Sequence, residues 1–275
     1  MEVENSKPLV SICCLVYNHE DYLREALDSF LMQQTNFAFE VVIHDDASTD
    51  SSPDIIKEYA SKYPKIFNPL YQTENQKSKV KSGMNPRFNY PRARGKYIAL
   101  CEGDDYWIDP LKLQKQVDFL EANDRFVISC HNSNVVDLNN SFVKIFNDKE
   151  IPEITDTSYI LEETWYIPTA SVVFRKSNLI FPNWFSKALN GDYMTYLILT
   201  NDGGLVHYDK NIMSSYRKHI KGVSNIFNDS YVFNNSMLTI NKNFNKFSPF
   251  GSRVSPSAGF HWSVAITLTT PQALL

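Results

Sequence analysis

The sequence predicts an α/β protein with a mostly parallel central sheet flanked by helices, and three observations carry that expectation. Three short apolar runs, LVSICCLV at 9–16, FEVVIH at 39–44 and KYIALC at 96–101, read as strands buried on both faces. The first two lead into stretches whose apolar residues recur at helical spacing, and such a stretch also follows the third after a short acidic segment. Acidic pairs, Asp45-Asp46 and Asp104-Asp105, fall just beyond the ends of the second and third runs.

Each element has its own signal. After the first run, Tyr22, Leu23, Ala26, Leu27, Phe30 and Leu31 form one apolar helical stripe. The second run ends in DDASTDSSPD, whose Ser, Thr and Asp residues suit a helix start before Ile55, Ile56 and Tyr59. A third short strand is expected at 66–71, then an aperiodic loop over 72–94. EGDDYWIDP follows the strand at 96–101, and Asp109-Pro110 predict the N-cap and first position of a helix carrying Leu111, Leu113, Val117, Phe119 and Leu120. Residues 126–130 read as a further strand. Strand and helix in alternation imply right-handed βαβ units through about residue 135. Beyond it, strands are expected at 170–174, 205–208 and 212–216, and helices at 193–199 and 231–244.

The division drawn from this pattern is a ligand-binding half over 1–135, a smaller second half over 136–227 and a C-terminal helix and tail over 228–275, the first two forming one domain. A chain of 275 residues with 43% hydrophobic content can bury one large core. The net charge of -4 and the lack of a long basic block give no electrostatic basis for a nucleic-acid partner. Lys77, Lys79, Lys81, Arg87, Arg92 and Arg94 form a local basic cluster that either meets a phosphate or is a solvated face. The four cysteines lack C-x-x-C spacing and sit in apolar runs, as buried thiols do in a reducing compartment. The polar start MEVENSKP is unlike a secretory signal, and no stretch reaches about 18 consecutive apolar residues. A cytoplasmic location is expected, with peripheral association at the inner membrane face and homodimer formation left open.

Ligands of open α/β sheets bind beyond the carboxyl ends of the strands, so folding can bring both acidic pairs to one crevice. Adjacent carboxylates repel unless a cation, a proton or solvent intervenes. Mg²⁺ or Mn²⁺ relieves that repulsion while using one or two protein carboxylates plus phosphate oxygens and water. The plainer reading is that each pair caps a helix or decorates a turn. Neither G-x-G-x-x-G nor G-x-x-x-x-G-K-[ST] occurs among only nine glycines, so dinucleotide oxidoreductases and P-loop enzymes are poor candidates.

The segments VSICCLVYNHEDYLREALDSFLMQQ, FEVVIHDDASTDSS and ARGKYIALCEGDDYWIDPLKLQKQ, in this order over roughly the first 130 residues, resemble the family 2 glycosyltransferases. That resemblance implies the GT-A fold, Rossmann-like, with a smaller acceptor-side region, and an inverting transfer from a nucleotide-sugar donor to a saccharide or lipid-linked saccharide. It places Val16, Tyr17 and Asn18 along the nucleotide pocket and Asp45 and Asp46 on the nucleoside, with a UDP donor expected. It makes Asp105 the ligand of Mg²⁺ or Mn²⁺, supported by Asp104. Arg94, just before the metal-site strand, is a candidate diphosphate contact or a surface ion pair. Asp192, in Asn190-Gly191-Asp192, matches the family's catalytic aspartate and is also a plausible helix cap. SSYRKHIKGVSN resembles a Y-R-x-H element, so Arg217 or His219 is expected near the leaving diphosphate and His219 as an extra metal ligand. Trp107 suits either an acceptor-sugar platform or the core. Two rivals stand beside this reading. A sugar nucleotidyltransferase would need a glycine-rich loop that LVYNHE lacks, and a non-catalytic binding module would not need both Asp105 and Asp192.

Overall fold

A computed structural model describes residues 7–80, 83–163, 165–182, 185 and 191–218. In chain order the elements are β1 (Val10–Val16), α1 (Leu23–Leu31), β2 (Phe39–Asp45), α2 (Ser52–Lys62), β3 (Phe67–Tyr71), β4 (Tyr97–Leu100), β5 (Tyr106–Trp107), α3 (Lys112–Ala122), β6 (Phe126–Val136), β7 (Phe142–Ile145), β8 (Ile154–Thr155), α4 (Thr157–Glu162), β9 (Val173–Arg175), α5 (Gly191–Thr200) and β10 (Leu205–Arg217). One sheet runs in the order β3-β2-β1-β4-β9-β6-β10-β5, with β7 attached to β6 and β8 to β10. It is parallel from β3 to β4. Beyond β4, the strand β9 enters antiparallel between β4 and β6, and only β6 and β10 run parallel.

The apolar runs conceal an alternation that burial reveals. In β1, Val10, Ile12, Cys14 and Val16 face a core shared with α1, α2 and α3, whereas Cys13 faces a second core shared with α4 and α5. Val41 and Ile43 against Val42 in β2, and Tyr97 and Ala99 against Ile98 and Leu100 in β4, divide the same way. Side chains alternate across a strand, so a sheet covered on both faces needs apolar residues at every position. Leu23, Ala26, Leu27 and Phe30 of α1 are fully buried, as the stripe predicts.

Two details bear on the site. At the amino edge, a Cβ on Gly95 would lie 2.6 Å from the Ser11 backbone nitrogen, so only glycine lets the chain enter β4 here. At the other edge, the 72–94 loop contains a π-helical turn, Asn85–Asn89, and Asn89 donates to the Cys14 carbonyl at 3.2 Å, tying that loop beneath β1.

Three expectations change. The third helix begins at Lys112 rather than Pro110, because Asp109 Oδ1 accepts from Leu111 N–H and closes a turn first. The strands expected at 205–208 and 212–216 are one bulged strand, β10. At 170–174, a 3-10 turn (Thr169–Ser171) precedes the short β9. The helix expected at 231–244, the tail and His219 lie outside the described residues.

Candidate active site

Beyond the carboxyl ends of β1, β2 and β4, three connections converge. The β1–α1 turn and the β2–α2 turn are laced together: Asn18 N–H donates to Ser48 Oγ at 2.9 Å and Asn18 Oδ1 accepts from Thr49 N–H at 2.8 Å. His19 N–H reaches Ser52 Oγ at 2.9 Å, and Glu20 N–H reaches Asp50 Oδ2 at 3.0 Å. Asn18 (φ 56°) and Ala47 (φ 61°) both adopt left-handed backbone, which a non-glycine residue holds only where surrounding contacts enforce it. Tyr17 is 45% exposed on this lip. Val16 is buried; its side chain does not line the cleft, and its carbonyl instead fixes Asp46 N–H at 2.9 Å.

The first acidic pair divides its duties. Asp46 accepts from Gln76 N–H at 2.7 Å and Lys77 N–H at 2.9 Å, so both oxygens organise the 72–80 loop. Asp45 accepts from Ser48 N–H at 3.2 Å through Oδ2, while its buried Oδ1 has no partner among the described residues. Burial raises the Asp45 pKa, with Ser48 opposing the shift.

The acidic loop after β4 packs tightly against β1. Gly103 N–H donates to the Leu15 carbonyl at 3.0 Å, and a Cβ on Gly103 would lie 2.9 Å from His19 Nδ1 and 3.0 Å from Val16 Cγ2. Asp104 is half-buried, its Oδ2 3.8 Å from His19 Nε2. Asp105 is only 3% exposed, and its Oδ1 accepts from Arg217 N–H at 2.9 Å. Arg217 grips the loop from behind: its guanidinium donates to the Asp104 carbonyl at 2.7 Å, to Glu25 and to Asn140, between the rings of Tyr22 and Tyr106. That corrects the expectation that Arg217 approaches a diphosphate, because its hydrogen bonds go to the protein.

Glu102 is the residue the sequence reading missed. Burial raises its pKa well above the ordinary value, and Asp104, Asp192 and Asp105 push it further while Lys77 opposes them. Asp105 is raised by burial and by Asp104, against the pull of Arg217. Asp192, second residue of α5, accepts from Thr169 Oγ1 at 3.4 Å; burial raises it and Lys77 lowers it. The charges of Asp104, Asp192 and Asp105 are thus all felt at Glu102, which links the β4 loop to α5 electrostatically. The available clue was position: Glu102 stands two residues before Asp104, directly after the strand.

Other expectations are settled by placement. Arg94 lies at the opposite edge of the sheet, bonded through N–H and Nε to Glu40 at the start of β2. Five residue steps separate Glu40 from Asp45, about 17 Å along the strand, so Arg94 is not a diphosphate contact. Trp107 is a core residue, 2% exposed, with its indole N–H on the Ala170 carbonyl at 2.8 Å. His44 stacks on Phe88 and His131 is buried in β6; burial lowers the pKa of both, His44 to about 4.

The acidic set suits a divalent cation in part. Its donors are hard oxygens, and after burial the repulsion from Asp104 that raises Glu102 and Asp105 is what a cation would relieve. Among the described residues no three His, Cys, Asp or Glu side chains are grouped to hold a metal alone. The fit is to a Mg²⁺-like ion that takes one or two carboxylates and completes its shell from phosphate and water.

With this geometry in place, the chain can be set beside known proteins. The family described as Glycosyl transferase family 2 matches residues 11–180, and the chain belongs to it. An uncharacterised protein of Mycobacterium tuberculosis is 36% identical over 228 residues, covering 78% of this chain and 60% of the relative. An uncharacterised glycosyltransferase of Nostoc is 30% identical over 181 residues, covering 63% of this chain and 53% of the relative. The chain thus spans little more than half the length of these relatives. Residues 1–349 of Staphylococcus aureus TarS, solved with UDP-GlcNAc, superpose at a TM-score of 0.56 with 18% identity, over 78% of this chain and 59% of that one. The mannosyltransferase PcManGT of Pyrobaculum calidifontis, solved with GDP-Man and Mn²⁺, gives a TM-score of 0.56 with 19% identity, over 79% and 59%. These likenesses establish the fold, a mixed sheet of GT-A type.

Proposed function

We propose that this chain transfers a sugar from a nucleotide-diphosphate donor to a saccharide or lipid-linked saccharide acceptor, with inversion at the anomeric carbon. The observation that carries this is the acidic loop Glu102, Asp104 and Asp105 at the carboxyl end of β4, beside the ends of β1 and β2 where Asp45 and Asp46 lie, with the charge of Asp192 felt at Glu102. Relatives of the fold hold UDP-GlcNAc, or GDP-Man with Mn²⁺, which supports a nucleotide sugar and a divalent cation here. UDP is the expected donor nucleotide.

Asp45, through its unshared Oδ1, is the nucleoside reader, and Asp46 holds the 72–80 loop beside it. Asp104, more exposed than Asp105, is the carboxylate we assign to the metal, with Glu102 as its neighbour. Asp105 buttresses the loop through Arg217, reversing the order expected from sequence. A bound Mg²⁺ or Mn²⁺ would neutralise charge building on the leaving diphosphate. Asp192 removes the acceptor hydroxyl proton as that oxygen attacks the anomeric carbon. Its raised pKa brings it towards neutral pH, where a general base is most effective.

The test is turnover of a panel of UDP-, GDP- and dTDP-sugars with Mn²⁺, with and without EDTA, and NMR of the product anomer. Metal-dependent transfer from an α-linked donor to a β-linked product is expected. Retention of configuration would remove Asp192 from the base role. No described helix is long and apolar enough to cross a membrane, so contact with a lipid-linked acceptor would be peripheral for this part of the chain.

A further inference from the structure

The described part of the protein buries seven tyrosines below 9% exposure. Five have hydroxyl partners: Tyr59 donates to Asp28, Tyr97 accepts from Arg175, Tyr166 pairs with Thr155, Tyr193 donates to the Ile160 carbonyl, and Tyr208 accepts from Asn147. The hydroxyls of Tyr90 and Tyr196, each residue 4% exposed, make no hydrogen bond of normal geometry among the described residues, and only the Thr195 and Thr169 side chains stand near enough to oppose the rise of their pKa values. Both lie in the core beneath α5. Tyr196 is four residues after Asp192 on that helix, which puts the two side chains on one face. Tyr90, from the end of the 72–94 loop, has its ring edge against Phe174 and stacks on Phe181 at 6.2 Å. After burial, the Asp192 charge is the strongest influence on the ionisation of either phenol, and Tyr196 also acts on Tyr90.

A buried hydroxyl without a partner destabilises a core, and phenylalanine would fill both places with the same ring. Two hydroxyls so poorly met, both under the charge of one carboxylate, are therefore costly to stability and need another reason to be there. Hydrogen bonds at catalytic groups are often long before substrate binds and close only in the working complex.

We propose that Tyr90 and Tyr196 are positioning residues for Asp192, their hydroxyls forming a two-donor seat that aims its carboxylate at the acceptor once the donor sugar is bound. The inference rests on Asp192 as the base. It goes further in assigning the base an orienting pair from two separate elements, one of them the loop that Asp46 organises at its other end.

The experiment is Tyr90→Phe, Tyr196→Phe and the double variant, each compared with the parent and with Asp192→Asn. Melting temperature, Mn²⁺-dependent UDP binding and steady-state turnover of the donor found by the panel are measured. We expect unchanged or higher melting temperatures, UDP affinity within twofold, KM for the donor unchanged, and kcat lower by tenfold or more in each single variant. The double variant should lose little beyond the worse single one, since both hydroxyls serve one carboxylate. Unchanged kcat in the Phe variants, with Asp192→Asn inactive, would overturn the seat and leave the base standing. Full turnover by Asp192→Asn would overturn the base itself. A lower melting temperature accompanying the lost kcat would assign the hydroxyls to packing and also overturn the proposal.

Discussion

The two halves of the sheet treat their carboxylates differently. On the parallel side, Asp46 and Asp50 accept backbone N–H groups through both oxygens and Asp45 through one, so most of these oxygens are met by the protein. On the mixed side, Glu102 feels the charges of Asp104, Asp192 and Asp105, and Lys77, from the 72–80 loop, opposes the charge of both Glu102 and Asp192. Hydrogen-bonded carboxylates are preorganised and poorly suited to taking up a new cation, whereas mutually repelling ones gain by it. The first side is built to hold a shape and the second to hold charge.

The largest effect should come from the second side. Asp192→Asn keeps the size of the side chain and removes the carboxylate proposed as the base, and the loss of such a group costs about 10²–10⁴-fold in turnover. UDP binding should survive, because the parallel side is untouched. Single-turnover kinetics beside calorimetry separate the two, and weakened UDP binding would mean that the halves are not separable in this way.

The acidic loop sharpens the contrast next. Asp105→Asn leaves an oxygen for Arg217 N–H but removes the buttressing charge, and outer-shell changes typically weaken metal affinity by about 10–100-fold. Asp104→Asn should weaken Mn²⁺-dependent UDP binding more than Asp105→Asn does. The reverse order, read by titrating Mn²⁺ into each variant with UDP present, would return the metal to Asp105.

How much of this was legible follows the same division. On the parallel side the ligand loops follow directly from strands and helices with clean periodicity, so Asp45, Asp46 and Asn18 could be placed by counting residues. Arg94 was misplaced because it is adjacent in sequence to β4 yet precedes that strand, and parallel strands carry their start and end to opposite edges. Arg217 was misread because its fate depends on Glu25 and Asn140, partners 192 and 77 positions away. Glu102 was overlooked beside the more conspicuous Asp pair, because its electrostatic link to Asp192 comes from far along the chain. Short strands such as β5, β7 and β8 carry too few residues to show a period.

A smaller effect tests how the loop is pressed against β1. Gly103→Ala would place its methyl 2.9 Å from His19 and 3.0 Å from Val16, and overpacking of this kind costs about 1–3 kcal/mol. The loop should shift rather than the core, so donor KM should rise more than melting temperature falls. A pure stability loss with unchanged KM would show that the acidic loop tolerates displacement.

The smallest effect concerns the seam between the halves. Lys112 is fully buried, its Nζ 2.8 Å from Gln116 Oε1 and 4.2 Å from the centre of the Trp107 ring, with no carboxylate bonded to it. Burial lowers its pKa from an ordinary 10.5 to about 7. Below pH 7 both folded and unfolded chains carry this charge, and the fold bears the full desolvation cost. Between 7 and 10.5 the unfolded chain binds the extra proton, so this group makes stability rise with pH, by at most about 1.4 kcal/mol per unit. The buried thiols act in the opposite direction at higher pH, because burial raises the pKa of Cys13, Cys14, Cys101 and Cys130 and only the unfolded chain ionises them readily. Lys112→Met leaves the thiols in place, so the difference between variant and parent isolates the lysine. Urea denaturation from pH 6.5 to 8.5 should show Met most stabilising at the acid end, its advantage shrinking as pH rises. An advantage independent of pH would mean that Lys112 keeps its charge in the folded chain over this range, through a local opening to water.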